Sequence, residues 1–129
     1  MIVVDAAAVV DVLTVAASTG ALRSRLAGEE LHAPSLLDFE LVSALRGLTL
    51  RSRLSSARAL DALADFEDLP LYRWPASEAL RRRAFDLRHA VSAYDASYVA
   101  LAEALECPLV TRDARLARSR GHDARIEVH

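Results

Sequence analysis

The sequence predicts an α/β fold in which a central parallel sheet of about five short strands is flanked by helices. Short apolar, β-branched runs alternate along the chain with longer segments whose apolar residues recur at helical spacing. Strands that alternate with helices pair in parallel, and the helices then cover both faces of the sheet. With 129 residues and neither a linker nor a repeat, the chain is expected to form one domain over residues 1–129.

Five short segments carry the strand signal. The first is apolar and β-branched, and it ends at Asp5. The second is stopped by Pro34, and each later one follows a segment that is expected to be helical. The predicted strands span residues 1–4, 31–33, 70–74, 108–111 and 124–128.

Apolar periodicity and capping residues predict the helices. Ser35, Ser55 or Ser56, and Ser92 occupy N-cap positions before periodic segments, and Pro75 is expected to open a further helix. The predicted helices span residues 6–13, 21–27, about 36–48, 56–67, 76–90, 93–106 and 113–118.

The composition excludes several classes of protein. Hydrophobic residues make up 53% of the chain and charged residues 26%, which is typical of a folded domain. Charged residues interrupt the apolar runs before membrane-spanning length, and residues 1–20 contain Asp5 and Asp11 and lack a basic start. We therefore expect neither a membrane segment nor a signal peptide, and we expect a cytoplasmic location.

Cysteine and histidine offer no pattern of metal ligands. The single Cys107 excludes an internal disulfide and a zinc site built from cysteines. The four histidines show no ligand spacing and are interpreted as surface or structural residues; they are His32, His89, His122 and His129. Any metal chemistry is therefore expected to use oxygen ligands.

All 16 basic residues are arginines, although the formal net charge is −2. A net negative charge is not typical of nucleic-acid binding, but guanidinium groups suit bidentate contacts to phosphate. Arg81–Arg83 are interpreted as a solvated helix face. Arg112 and Arg115 are of more interest because they flank Asp113, and they are candidate phosphate contacts.

Two acidic residues are predicted at the carboxyl ends of strands, where open α/β sheets form their binding sites. Asp5 ends the first strand and Asp113 follows the fourth. A carboxylate that closes a buried strand is costly unless it is paired or metal-bound, so Asp5 is a strong candidate for a site. Asp113 has an alternative role as the N-cap of its short helix.

Two further acidic residues, Glu40 and Asp95, lie on the apolar sides of predicted helices. The neighbouring Asp38 is assigned to capping, because Ser35-x-x-Asp38 resembles a capping box, and Glu40 is assigned to function. Asp95 has the same capping alternative, since Ser92-x-x-Asp95 also fits a capping box.

The four acidic residues stand in segments that resemble the motifs of a known family. The segments are Val3-Val4-Asp5-Ala6, Leu37-Asp38-Phe39-Glu40-Leu41-Val42, Tyr94-Asp95-Ala96-Ser97-Tyr98-Val99-Ala100-Leu101-Ala102 and Val110-Thr111-Arg112-Asp113. They resemble the acidic motifs of PIN-domain ribonucleases. In order, spacing and length they are most similar to the VapC toxins of bacterial toxin–antitoxin pairs. The resemblance covers essentially the whole chain.

The resemblance implies an endoribonuclease, the toxin of a type II toxin–antitoxin pair, that cleaves RNA phosphodiester bonds with metal-activated water. Mg²⁺ or Mn²⁺ is the implied cofactor, because such cations prefer oxygen ligands and relieve the repulsion between carboxylates. The implied partners are a cognate antitoxin protein, an RNA substrate and a second copy of the chain. The implied catalytic and metal-binding residues are Asp5, Glu40, Asp95 and Asp113, with Thr111 in support and Arg112 and Arg115 as RNA contacts.

Three other α/β proteins fit less well. A receiver domain would be expected to have a lysine late in the chain, and this chain has no lysine. A nucleotide-binding module would need a phosphate loop, and the four glycines form none. A phosphatase with an Asp-x-Asp motif after its first strand would need an acid where Ala7 stands. The rival that remains is a catalytically weak or inactive PIN fold that acts by binding RNA or antitoxin. It is kept open because Ala6–Ala8 stand where members often have a hydroxyl residue.

Overall fold

The computed structural model describes residues 1–14 and 20–129, which form helices around a five-stranded sheet. No helix in these two ranges is long and apolar enough to cross a membrane. The elements, in chain order, are β1 (Ile2–Val4), α1 (Ala6–Thr14), α2 (Gly20–Leu26), β2 (Leu31–Pro34), α3 (Leu37–Leu50), α4 (Ser56–Glu67), β3 (Leu71–Trp74), α5 (Glu78–Asp86), α6 (Ala93–Ala104), β4 (Leu109–Thr111), α7 (Ala114–Ala117) and β5 (Ile126–Val128). The predicted fold class is confirmed.

All the strand pairs are parallel, and the spatial order is β3-β2-β1-β4-β5. The chain moves from the central β1 to one side through β2 and β3, then crosses back to β4 and β5. Right-handed crossovers place α1 to α4 on one face and α5 to α7 on the other. The direction of winding reverses between β1 and β4, so the crevice at their carboxyl ends is the expected place for a site.

The centre of the sheet forms the core because its strands are covered on both faces. Every residue of β1 and β4 is buried, whereas β3 at one edge is largely exposed and β5 at the other edge is only partly buried. Helix α6 packs over β1, β2 and β4, and it buries Tyr98, Val99 and Leu101. The helix that carries Asp95 is therefore fixed directly over β1, which Asp5 follows, and over β4, which Asp113 follows.

The predicted cap of α3 is wrong. The N-cap residue is Leu36, and it makes no side-chain capping bond. Ser35 instead lies in the turn directly after β2, where its amide donates to the Trp74 carbonyl of β3 at 2.8 Å. The capping role assigned to Asp38 is also wrong, since its Oδ1 accepts a bond from Arg73 Nε at 2.7 Å.

Helix α5 begins later and ends earlier than predicted. Ser77, and not Pro75, lies before the first turn, and its Oγ accepts a bond from the Leu80 amide at 3.3 Å. The helix ends at Asp86 and turns follow it. The predicted cap at Ser55 is confirmed, because its Oγ accepts a bond from the Arg58 amide at 3.1 Å.

His32 is a structural residue, buried on β2 with only 3% of its surface exposed. The Trp74 indole donates to its Nδ1 at 3.0 Å, and its Nε2 lies 3.1 Å from Glu30 Oε1. Since an indole can only donate, Nε2 carries the proton and donates to Glu30. The ring also stacks on Tyr72, with centroids 5.0 Å apart, so this histidine ties β2 to β3.

An ion pair joins α5 to α6 and anchors the helix that carries Asp95. Arg83 donates through Nε and Nη2 to both oxygens of Glu103, at 2.7 and 2.9 Å, so it is not part of a wholly solvated face. Glu103 Oε1 also accepts a bond from the Asp123 amide at 2.9 Å. The bond from Arg83 is the main reason that the pKa of Glu103 is lowered.

We expect Glu103→Gln to lower the free energy of unfolding by about 1–2 kcal/mol at neutral pH, because it removes charge-assisted hydrogen bonds. A carboxyl whose pKa is lowered in the folded state stabilises the fold above its unfolded pKa, about 4.3 for Glu, and loses that contribution as the pH falls. The free energies of unfolding of the native chain and the Glu103→Gln variant, measured by urea titration, should therefore converge as the pH falls below about 4. A difference that is as large in acid as at neutral pH would contradict this role for Glu103.

Candidate active site

Asp5 lies between β1 and α1, and both of its carboxylate oxygens are hydrogen-bonded. Oδ1 accepts a bond from the Ala8 amide at 2.8 Å, so Asp5 caps the first turn of α1. Oδ2 accepts a bond from the Thr111 hydroxyl. Asp5 is therefore held by two hydrogen bonds, although Ala6–Ala8 offer no hydroxyl side chain.

Thr111 ends β4 and connects Asp5 to Asp113. Its side chain is fully buried, and its Oγ1 accepts a bond from the Asp113 amide at 2.9 Å while donating to Asp5. Asp113 is the N-cap of α7, as its capping alternative predicted, and its Oδ1 accepts a bond from the Arg115 amide at 2.8 Å. Asp113 can thus cap α7 and still lie close to Asp5.

Asp95 lies in the first turn of α6, but its carboxylate does not complete a capping box. Ser92 Oγ accepts a bond from the Asp95 amide at 3.2 Å, which satisfies the helix start. Among the described residues, no hydrogen bond to the Asp95 carboxylate is found. The half-buried side chain is therefore left for a role other than capping.

Glu40, in the first turn of α3, meets α6 through Tyr98. The Tyr98 hydroxyl donates to Glu40 Oε1 at 2.6 Å. Burial and the adjacent Glu40 hold the pKa of Tyr98 well above its usual range, so the phenol remains a donor. The sequence alone assigns no role to Tyr98; the available signal is its position one helical turn after Asp95.

The structure brings the four predicted acids near one another, and the charges of neighbouring acids contribute to the raised pKa values of Asp5 and Glu40. Burial raises the pKa of Asp5, and the charges of Asp95 and Asp113 add to this effect. Burial also raises the pKa of Glu40, with further contributions from Asp95 and Asp5. Asp113 differs, because the Arg115 guanidinium lowers its pKa. We name these four residues, Asp5, Glu40, Asp95 and Asp113, the acidic cluster.

The chemistry of the acidic cluster fits a hard divalent cation. Its donors are carboxylate oxygens, with one buried hydroxyl beside them. Within residues 1–14 and 20–129, no three Asp, Glu, His or Cys side chains are grouped tightly enough to hold an ion by themselves. Mg²⁺ commonly keeps several waters and takes only one or two carboxylates, so an open cluster suits it. A cation would also offset the burial cost and the repulsion that together raise the pKa values of Asp5 and Glu40.

The two candidate arginines differ in their surroundings. Arg112 Nε lies 2.7 Å from Asp11 Oδ2, and its Nη1 donates to the His129 carbonyl at 2.5 Å. Arg115 pairs with Asp113 through Nε at 3.1 Å and Nη2 at 3.0 Å, yet its side chain is 84% exposed. Arg115 is thus attached to the acidic cluster and open to solvent, whereas Arg112 is held by the protein.

An apolar groove of about 510 Å³ opens at the carboxyl ends of β2 and β3. Leu36 and Trp74 line one part of it, and Phe85 of α5 and Tyr94 of α6 line another. Phe85 and Tyr94 are each 66% exposed, which is unusual for large rings on a folded domain. The groove also reaches Ser92, the cap of the helix that carries Asp95.

Comparison with known proteins agrees with this arrangement. The PIN domain family model matches residues 2–121. "Ribonuclease VapC12" of Mycobacterium tuberculosis is 41% identical over 128 residues, which cover 99% of this chain and 98% of the relative. "VapC ribonuclease Mb0985" of Mycobacterium bovis is 47% identical over 117 residues, which cover 91% of this chain and 89% of the relative.

A solved toxin–antitoxin complex from Klebsiella pneumoniae contains a chain with the same fold. Its TM-score is 0.60 at 16% sequence identity, over 88% of this chain and 87% of that one. The family match over most of the sequence, the two relatives and the parallel sheet with its acidic cluster agree with one another. The chain belongs to the PIN domain family and is similar to the VapC ribonucleases.

Proposed function

We propose that this protein is a divalent-metal-dependent endoribonuclease that acts as the toxin of a toxin–antitoxin pair. The observation that carries the proposal is the acidic cluster at the point where the winding of the sheet reverses. Relatives that match nearly the full chain are named ribonucleases, which supports RNA as the substrate. Because a ribonuclease acts where RNA is found, we place its action in the cytoplasm.

We assign most of the metal binding to Asp5 and Asp95, with Glu40 and Asp113 completing the oxygen shell. A bound Mg²⁺ or Mn²⁺ would supply positive charge to the phosphodiester and lower the pKa of a water. Thr111 fixes the orientation of Asp5 and the position of the Asp113 backbone through one buried hydroxyl. The carboxylates thus supply negative charge for a cation and are already oriented before substrate binds. Such preorganisation is a main requirement for catalysis of phosphodiester hydrolysis.

The experiment incubates the purified, antitoxin-free chain with total cellular RNA in the presence of Mg²⁺, Mn²⁺ or a chelator. We expect cleavage with either ion, none with the chelator, and none with an Asp95→Asn variant. Sequencing of RNA 5′ ends after brief induction identifies the cleaved sites. A native chain that binds RNA but stays inert with both ions would support the alternative, a PIN fold that acts by binding.

We propose that Arg112 and Arg115 contact the RNA backbone, with Arg115 the more accessible of the two. In an Asp5→Asn background, which prevents cleavage, Arg115→Ala should weaken RNA binding at low salt and reduce the salt slope by about 1. Arg82→Ala is the matched control, because Arg82 is exposed on α5 and pairs only with Glu78 among the described residues. Equal slopes for the Arg115 variant and the control would exclude this contact.

We propose a cognate antitoxin protein as the inhibitory partner. The solved relative from Klebsiella pneumoniae is described as a toxin–antitoxin complex, which supports such a partner for this chain. Helix α3 exposes 81% of Phe39 and 44% of Val42, on either side of Glu40 in the sequence. We expect an antitoxin segment to cover these two exposed side chains, on the helix that also carries Glu40.

We propose that a second copy of the chain covers the apolar groove and forms a homodimer. Large exposed aromatic side chains are typical of residues that dominate the affinity of an interface. We expect Tyr94→Asp to weaken dimerisation by at least about 10-fold, as measured by analytical ultracentrifugation. Leu60→Asp on α4 is the control, since Leu60 is equally exposed but outside the groove. A dimer that persists in the Tyr94 variant would place the interface elsewhere.

A further inference from the structure

Tyr98 is a buried phenol whose hydroxyl is aimed at a member of the acidic cluster. Only 2% of its surface is exposed. Its hydroxyl donates to Glu40 Oε1 at 2.6 Å, a short hydrogen bond. Among the described residues, this is the only hydrogen bond found to the Glu40 carboxylate. One oxygen of Glu40 is therefore committed to Tyr98, and Oε2 is the oxygen left for a ligand.

The same turn of α6 carries both Tyr98 and Asp95. Residues three apart on a helix lie on the same face, so Tyr98 and Asp95 are presented together. Glu40 comes from α3, which the right-handed crossovers place with the helices of the other face of the sheet. The hydrogen bond thus fixes the Glu40 side chain relative to the helix that supplies Asp95, across a sequence separation of 58 residues.

A purely structural role would not require this partner. A buried tyrosine hydroxyl needs an acceptor, and a backbone carbonyl would satisfy it without burying a charged group. Here the acceptor is a half-buried carboxylate that also lies near Asp5 and Asp95. Placing a carboxylate there is costly, which indicates that the contact serves the acidic cluster and not only the packing of α6.

We propose that Tyr98 is a positioning residue that holds Glu40 by one oxygen and leaves the other free for a divalent cation. The proposal rests on the proposed function, since it assigns Glu40 to the oxygen shell. Outer residues that orient metal ligands typically change metal affinity or activity by about 10–100-fold when they are removed. Tyr98→Phe is a suitable variant because it keeps the buried ring and removes only the hydroxyl.

The test measures Mn²⁺ binding to the purified chain by calorimetry, together with kcat and KM for RNA cleavage. We expect Tyr98→Phe to weaken Mn²⁺ binding about 10-fold and to lower kcat, with KM for RNA unchanged. In a Glu40→Gln background the same substitution should cause no further loss of Mn²⁺ affinity, because the group that it positions has already been altered. Tyr72→Phe on β3 is the control for removal of a tyrosine hydroxyl outside the site.

Two outcomes would overturn the inference. Tyr98→Phe could bind Mn²⁺ and cleave RNA as the native chain does, or it could lose the same affinity with and without Glu40. Either result leaves the proposed function standing, provided that Asp5→Asn abolishes cleavage. A native chain that takes up no Mn²⁺ and cleaves no RNA would instead overturn the proposed function, and this inference with it.

Discussion

Asp5→Asn should lower the rate of RNA cleavage by at least about 100-fold, because it removes a charged oxygen ligand and not merely a residue that orients one. Asp5 is the member of the acidic cluster that the fold controls most closely. It follows the central strand, caps α1 through Ala8 and receives the Thr111 hydroxyl. Burial raises its pKa, so its charge is costly without a cation.

Loss of cleavage in this variant should not reflect loss of the fold. An asparagine keeps the size of Asp5 but offers only one acceptor oxygen, so it can accept from Ala8 or from Thr111 and not from both. One lost hydrogen bond and the removal of a half-buried charge act in opposite directions. We therefore expect the free energy of unfolding to stay within about 1 kcal/mol of the native value.

The measurement is single-turnover cleavage with saturating Mg²⁺, with urea unfolding of the same preparations. Asp38→Asn is the matched control, because Asp38 is a nearby acid that pairs with Arg73 and not with the acidic cluster. We expect that control to cleave at the native rate. An Asp5 variant that stays folded and cleaves as fast as the control would remove Asp5 from the site.

Burial explains why the sheet could be predicted from the sequence. Strands covered on both faces are rich in apolar residues, and every residue of β1 and β4 is buried, with Thr111 the one polar residue among them. The helix starts were less secure, because local capping signals compete with tertiary contacts. Ser35 has the residue type of a cap, yet the sheet takes its amide through Trp74, and α3 begins without it. For α5, Pro75 is a strong signal for a helix start, yet the cap is Ser77, two residues later.

The candidate site follows from the four acidic residues taken as a set more than from the local sequence around each of them. Local sequence allowed capping roles for Asp95 and Asp113, and only Asp113 proves to cap with its carboxylate. A residue that caps a helix can also lie in the acidic cluster, so the capping role of Asp113 does not exclude its proposed role in the site. The contact of Tyr98 with Glu40 could not be predicted, because the two residues lie 58 positions apart and no local sequence pattern indicates such a contact.

The hydroxyl of Thr111 has the second large expected effect. Thr111→Val should reduce RNA cleavage by about 10–100-fold, because the hydroxyl orients a predicted metal ligand without being one itself. The same change leaves Asp5 Oδ2 without its donor and the Asp113 amide without its acceptor, in a fully buried place. Such unsatisfied groups cost about 1–3 kcal/mol, so the free energy of unfolding should fall as well.

Thr111→Ser separates the chemical role of this hydroxyl from its contribution to stability. Serine keeps the hydroxyl and loses a buried methyl, which should lower the free energy of unfolding by about 1 kcal/mol. We expect it to cleave RNA near the native rate, so two variants that both lose stability should differ strongly in activity. If the Thr111→Val and Thr111→Ser variants cleave RNA at the same rate, the hydroxyl has no part in the reaction. The hydrogen bond from the Ala8 amide would then be sufficient to hold Asp5.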